Sequence, residues 1–356
     1  MPLVQRVFNA LADGKVHSGE QLAAGQSVSR SAIWKAVGTL TDLGVAVEAT
    51  PRLGYRLAAA VVPLAAAQIM AGLEPEVRAR VRRGEVEWTL TSTNDALLAR
   101  GTSLTRGPQP ASHGFDFLAA EIQTAGRGRR ARPWVAPPGG ALCLSVGWQF
   151  DALPKAVSAL SLAVGVCALR ALATTRGTLP SPGESAAGKF SSGTIKLKWP
   201  NDLMVGEQKL GGILIELRAE SSGPAYVTIG IGINCALSVL LIKRVQGLGT
   251  EPTDLAALGV TTCDRNQLCA ALVNEIVSGV LDFEREGLAA FAPEWRAADV
   301  LVGRQVRIAA PGGEVEGVAC GIDADGALCV QSSVELVGHA GLLRFHSGEV
   351  TVRPVT

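Results

Sequence analysis

Apolar side chains recur at Ile33, Val37 and Leu40, a spacing of i, i+4, i+7 that gives one buried stripe on a helix. The opposite face of that helix presents Arg30, Ser31, Trp34 and Lys35. Two start signals lie nearby. Ser18-Gly-Glu-Gln21 has the arrangement of a capping box, and Ser29-Arg30-Ser31 opens a second helix after the turn-like Gly25-Gln-Ser27. Val45-Ala-Val47-Glu-Ala49 and Gly54-Tyr55-Arg56-Leu57 then flank Pro51-Arg52, as strands flank the tip of a hairpin wing. Residues 1–62 therefore read as a winged helix–turn–helix domain, whose second helix fits a DNA major groove. Its candidate DNA contacts are Arg30, Ser31, Trp34, Lys35 and, at the wing tip, Arg52. A packing or protein-interaction module would carry the same periodicity.

Between residues 66 and 298 helical and strand-like runs alternate, the pattern of a mixed α/β domain. Leu118-Ala-Ala-Glu121-Ile122, Ala141-Leu-Cys-Leu-Ser-Val146 and Tyr226-Val-Thr-Ile-Gly230 read as strands, and residues 267–283 as a helix. The longest apolar stretch, 159–173, is interrupted by Arg170 and is too short for a bilayer span, so it reads as a buried core helix. Residues 179–194, rich in Pro, Gly, Ser and Ala, read as a flexible surface insertion. Residues 238–249 look irregular, with Val239-Leu-Leu-Ile242 packing in the core or at an interface. From 299 to 356 short alternating runs are separated by the turn signals Pro311-Gly312-Gly313 and Asp323-Ala-Asp325-Gly326, which suggests a small β-barrel.

Composition narrows the class without choosing a function. A chain of 356 residues, 47% hydrophobic, is long enough for two or three domains with real cores. The net charge of +1 gives no global bias toward nucleic acid or membrane, and residues 1–60 carry six Lys/Arg against four Asp/Glu, modest for a DNA binder. The first residues lack the apolar run of a signal peptide, and no membrane partner is expected. Seven scattered cysteines and four distant histidines offer no metal-ligand spacing, so the cysteines read as free thiols in a reducing cytoplasm.

The chemistry concentrates in two segments. Gln123-Thr-Ala-Gly126-Arg127-Gly128-Arg129-Arg130-Ala-Arg132-Pro-Trp134 sets four arginines among glycines between strand-like runs. Glycine lets backbone amides approach an anion, and arginine offers a forked cation to phosphate or carboxylate. No Gly-Lys-Ser/Thr closes the segment, so it is not a Walker loop; the plain alternative is a solvated basic turn. The second segment, Lys196-Leu-Lys198-Trp199-Pro200-Asn201-Asp202-Leu203, ends a short strand at Pro200 and places Lys198 beside a turn. Lys209-Leu210-Gly211-Gly212-Ile213-Leu214-Ile215-Glu216 follows as an apolar strand.

Three further stretches keep the same order along the chain: Ser92-Thr93-Asn94, Pro137-Pro138-Gly139-Gly140 and Gly230-Ile-Gly232-Ile-Asn234. Together the five motifs resemble biotin–protein ligase, and the first sixty residues are similar to the repressor domain of its bifunctional bacterial members. The resemblance covers nearly all of the chain. It implies an α+β protein: an N-terminal winged helix–turn–helix, a central mixed α/β domain like a class II synthetase, and a C-terminal SH3-like β-barrel.

The resemblance also implies two half-reactions. Biotin's carboxylate attacks the α-phosphate of ATP, and a lysine of a biotin carboxyl carrier protein then attacks biotinyl-AMP. Lys198, Arg127 and Arg129 would stabilise the reacting centre. Ser92, Thr93, Asn94, Gln123, Arg127, Gly128, Arg129 and Lys198 would bind biotin. Gly126, Arg130, Trp134, Asn201, Lys209 and Arg353 would face the nucleotide, with Trp199 a further aromatic candidate. Mg²⁺ is expected with ATP, its protein ligands unassigned. The N-terminal domain would bind operator DNA as an adenylate-dependent homodimer. A lipoate–protein ligase and a non-catalytic ligand-sensing transcription factor are the rival readings.

Overall fold

The computed structural model describes residues 1–104, 114–154, 156–174, 195–219, 224–247, 249–260, 263–310, 313–332, 341–346 and 351–354. The insertion expected at 179–194 lies outside the described residues.

The N-terminal unit is built from three helices and a hairpin: α1 (Leu3–Leu11), α2 (Gly19–Gln26), α3 (Arg30–Asp42), β1 (Val47–Thr50) and β2 (Gly54–Leu57). Ser18 makes the capping box with Gln21, and Ser29 caps α3 through the Ala32 amide. The stripe Ile33, Val37, Leu40 is buried against Phe8, Leu11 and Leu22. Its reverse face stays in solvent, with Trp34 67% exposed.

The central unit carries a seven-stranded sheet of order β3-β4-β5-β9-β8-β7-β6. Its strands are β3 (Val81–Leu90), β4 (Phe115–Gln123), β5 (Ala141–Phe150), β6 (Ile195–Lys198), β7 (Asp202–Val205), β8 (Gln208–Ala219) and β9 (Ala225–Asn234). Only β3 and β4 run parallel; every other neighbouring pair is antiparallel. Short helices α4 (Ala66–Ala71) and α5 (Pro75–Arg78) lead into the sheet, and α6 (Thr93–Leu104) covers one face. The other face packs α7 (Leu160–Thr174) and α9 (Arg265–Glu286), followed by α10 (Ala292–Ala298). By length and composition α7, with the turn before it, could cross a membrane. Here it is a core helix, buried from Leu160 to Ala168 against α9.

β9 shows how the sheet divides its faces. Val227, Ile229, Ile231 and Ile233 point into the core, while Thr228, Gly230, Gly232 and Asn234 point toward α6 and the loops. Gly212 and Gly232 are opposite each other across β8 and β9, leaving a stretch of bare backbone.

Residues 238–249 are not irregular throughout: α8 (Val239–Val245) forms there, capped by Ser238. Its one buried residue is Leu241, which packs on Gly44 of the N-terminal unit; Val239 and Leu240 stay exposed. Local periodicity failed because a single side chain makes the contact, on another part of the chain.

The C-terminal unit is a five-stranded antiparallel sheet, order β13-β12-β11-β10-β14. It comprises β10 (Gln305–Ala310), β11 (Gly313–Ile322), β12 (Leu328–Ser332), β13 (Leu342–Phe345) and β14 (Thr351–Pro354). The expected turn at Asp323–Gly326 joins β11 to β12.

Candidate active site

A cleft of about 470 Å³, counting space open to solvent, lies where the N-terminus of α6 meets β5, β8, β9 and the glycine–arginine loop. Its lining includes Ser92, Thr93, Asn94, Gln123, Arg127 and Gly128, together with Trp134, Asn201 and Lys209. The structure thus brings together most of the residues expected from sequence. Gly126, Arg129, Arg130 and Lys198 are not part of that lining.

One end is a neutral hydrogen-bonding network. Ser92 starts α6, its hydroxyl accepting from the Asp95 amide at 3.4 Å. Gln123 Oε1 accepts from the Thr93 amide at 2.8 Å and its hydroxyl at 3.1 Å. Ser145 Oγ lies 2.7 Å from Thr93 Oγ1 and 2.6 Å from Asn94 Oδ1, and donates to one at a time. Ser92, Thr93, Asn94 and Ser145 are all at least 96% buried, so their polar atoms are fixed rather than hydrated. Two glycines make the room: a Cβ at Gly230 would stand 2.3 Å from Asn94 Oδ1, and one at Gly232 would stand 2.6 Å from the Trp134 ring.

The loop closes on itself. Trp134 N donates to Gly126 O at 2.9 Å and Gly128 N to Arg132 O at 2.8 Å. A Cβ at Gly126 would meet Trp134 O at 2.6 Å, so glycine is required there by packing. Arg130 and Ala131 take positive φ, 56° and 53°, and Arg130 is an exposed residue.

Arg127 is held by carboxylates that sequence reasoning missed. Its Nη1 and Nη2 donate to Asp95 at 2.6 and 2.5 Å, and Nη2 donates to Glu216 Oε1 at 2.8 Å. The hydrogen bonds to Asp95 and Glu216 raise the guanidinium's pKa, and Arg127 in turn lowers that of Asp95. Asn94 Nδ2 donates to Glu216 Oε2 at 2.8 Å, which joins this clamp to the neutral network.

The cationic end gathers around Asp202. Lys209 Nζ contacts Asp202 Oδ1 at 2.6 Å and lies 5.9 Å from the Trp134 ring centre. Lys198 faces Asp202 in the β6–β7 register. Burial pushes its ammonium pKa down, and Asp202 leads the opposing attraction. Arg129 is half-buried; burial and its arginine neighbours lower its pKa, while Asp202 acts to raise it. One carboxylate therefore sits in the field of three cations from the two segments singled out by sequence.

Trp199 is corrected. It is 2% exposed, and its indole donates to Gly326 O at 3.0 Å, so it ties β6 to the C-terminal unit rather than facing a ligand. Arg353 pairs through its backbone with Arg307 on β10. Asn201 is turned inward, donating to Ile213 O at 2.6 Å. In the N-terminal unit Arg30, Ser31, Trp34, Lys35 and Arg52 are all exposed, Arg52 at the wing tip with φ 67°. Gly212, Gly230 and Gly232 stood in the quoted motifs without a site role and Ser145 in a strand without one; all four carried one usable signal, polar or glycine positions alternating with Ile and Leu on buried strands.

A polar, cation-ended cleft on a mixed sheet, joined to a winged helix–turn–helix, defines a synthetase-like ligase fused to a DNA-binding module. The model of the Biotin/lipoate A/B protein ligase family matches residues 102–234, a helix–turn–helix domain model 6–56, and a Biotin protein ligase C terminal domain model 301–353. The bifunctional ligase/repressor BirA of Escherichia coli is 35% identical over 349 residues, covering 98% of this chain and 96% of that protein. The biotin–[acetyl-CoA-carboxylase] ligase of Mycobacterium tuberculosis is 34% identical over 245 residues, 67% of this chain and 79% of its own length. The biotin protein ligase of Aquifex aeolicus, solved in complex with biotin and ATP, shares the fold: TM-score 0.56, 22% identity, 76% of this chain and 98% of that one. The chain belongs to the biotin–protein ligase family, with the domain set of its bifunctional ligase/repressor members.

Proposed function

We propose that this protein activates biotin with ATP and transfers it to a lysine of a biotin carboxyl carrier protein, and that its N-terminal unit represses transcription in response to the adenylate. The observation that carries this reading is the cleft's neutral network of buried donors and acceptors beside a cationic group about Asp202, with Lys209 in the cleft lining and Lys198 and Arg129 just outside it. A ureido ring needs the first. A carboxylate meeting an α-phosphate needs the second.

In the first step a biotin carboxylate oxygen bonds to the α-phosphorus and the bond to pyrophosphate breaks. In the second the lysine amine attacks the acyl carbon, AMP leaves, and the amine gives up a proton. Lys198 and Arg129 stabilise charge on the phosphate oxygens, and Lys209 and Trp134 flank the nucleotide. Arg127 gives three hydrogen bonds to Asp95 and Glu216, which leaves Nε–H and one Nη1–H to turn toward the ligand. Mg²⁺ would accompany ATP with its protein ligands unassigned, and when bound would supply charge neutralisation.

Seven cysteines without a disulfide fit a reducing cytoplasm. The exposed Arg30, Ser31, Trp34, Lys35 and Arg52 would meet operator DNA from an adenylate-linked homodimer, with no part for a membrane.

Mass spectrometry of a carrier domain incubated with the protein, biotin and MgATP is the direct test. One biotin-sized gain is expected, and a gain with lipoate alone would overturn the substrate. For Lys198→Ala, adenylate formation should fall by about 10²–10³-fold with an unchanged circular dichroism spectrum. A near wild-type rate would remove Lys198 from the chemistry.

A further inference from the structure

Arg127 ties the glycine–arginine loop to α6 and β8 at once. Asp95, in the first turn of α6, accepts from Nη1 at 2.6 Å and from Nη2 at 2.5 Å. Glu216, on β8, accepts from Nη2 at 2.8 Å. The loop's own backbone bonds, Gly128 N to Arg132 O and Trp134 N to Gly126 O, only close it on itself. Glu216 is fixed in turn, because Asn94 Nδ2 donates to its Oε2 at 2.8 Å and to Leu214 O at 3.1 Å. Two carboxylates face one guanidinium, so the group carries one negative charge in excess.

We propose, resting on the ligase reading above, that Asp95 and Glu216 are positioning residues for the biotin end of the cleft. They act through Arg127: they hold the loop over the cleft before any ligand arrives and fix the direction of the guanidinium's remaining N–H groups. A donor set in place beforehand costs less ordering when the ligand binds.

The charge balance decides which end of the cleft Arg127 serves. A guanidinium outweighed by two carboxylates offers donors without net attraction for a phosphate, so it suits an uncharged oxygen of biotin or of its adenylate. Connectivity agrees. Glu216 leads through Asn94 and Ser145 to Thr93 and Gln123, the neutral network, while the group around Asp202 keeps the cations for phosphate. An acidic residue in a first turn also favours the helix dipole. That role alone would move the melting temperature, but not one substrate's binding against the other's.

Asp95→Asn keeps the side chain's shape and removes its charge. In the full-length protein we expect about a tenfold rise in KM for biotin, no rise in KM for MgATP, and kcat within about twofold. Glu216→Gln should shift the same constants in the same direction. In an Arg127→Ala background Asp95→Asn should change nothing further. Trypsin cuts after arginine and reads the loop without ligand or activity: ligand-free Asp95→Asn protein should be cut within residues 127–132 about tenfold faster than wild type. Any of four results would overturn the proposal: an unchanged KM for biotin in active Asp95→Asn protein, a joint rise for biotin and ATP, an Asp95→Asn effect that survives Arg127→Ala, or equal trypsin rates. A wild-type protein that biotinylates no carrier would instead overturn the ligase reading, and the trypsin rates would still decide whether Asp95 holds the loop.

Discussion

A methyl group at position 232 has nowhere to go but the Trp134 ring, 2.6 Å away. Gly232→Ala should therefore push the indole off the cleft wall, taking with it the contact to Lys209. We expect at least about a tenfold loss of nucleotide or adenylate affinity by calorimetry, about 1.4 kcal/mol, with little change in melting temperature. Unchanged affinity would remove Trp134 from the nucleotide side. A second residue-scale effect concerns acid. Asp299 is mostly buried, its Oδ1 accepts from Leu301 N at 2.8 Å, its Oδ2 has no partner among the described residues, and burial raises its pKa to about 6. An unfolded aspartate loses its proton near about pH 4. Between those values the folded protein binds more protons, so this carboxyl contributes stability in acid that is lost as pH rises through about 6. Asp299→Asn should flatten that decline and add about 2 kcal/mol at pH 7 in urea titrations. A parallel decline in both proteins would refute the assignment.

The linker that follows the wing is gripped by an ion pair. Arg265 donates twice to Glu121, at 2.7 and 2.8 Å, and reaches Val62 O at 3.1 Å. Glu121 also accepts from Leu64 N and Gly139 N, at 2.9 and 3.0 Å. Burial alone would raise the Glu121 pKa; the Arg265 guanidinium more than reverses this and holds it low. Arg265→Met strands a buried carboxylate and should cost about 3–5 kcal/mol by chemical denaturation, and adding Glu121→Gln should recover part of it. Sequence offered no hint of this pair, since its members lie 144 residues apart, Glu121 inside an apolar strand and Arg265 in a polar stretch that reads as solvated. The elements themselves were legible wherever burial is periodic, as on α3, β9 and α9. They were not where one contact decides, as at Leu241 on α8, whose Ser238 cap only the structure shows. Aromatic character likewise failed to separate Trp134, beside the cleft, from Trp199, in the core. The loop's arginines were legible as cations; the Asp95 and Glu216 partners of Arg127 required the fold.

At the scale of the whole chain, three units could be read from sequence, but not how firmly the first sits on the second. Phe8 packs on Trp88, ring centres 5.4 Å apart, and Gly139 sits against Phe8 and Val61. Ser238 Oγ donates to Gly44 O at 2.8 Å and Arg244 to Asp42 O at 2.8 Å. Asn266 grips the linker at Pro63 O and the Ala65 amide, 3.0 and 2.8 Å away. The turn that contacts the reading unit therefore follows directly from the glycine–arginine loop, with no slack chain between. In the adenylate-linked pair proposed above, two such reading heads become the fixed jaws of a caliper. Each base pair inserted between half-sites advances the duplex by about 3.4 Å and turns it by about 34°. A spacer lengthened by about five base pairs should abolish footprinting, and a full added turn should not restore it. Loosening the grip with the Arg265→Met, Glu121→Gln pair should widen the range of spacings bound, at lower affinity for the best one.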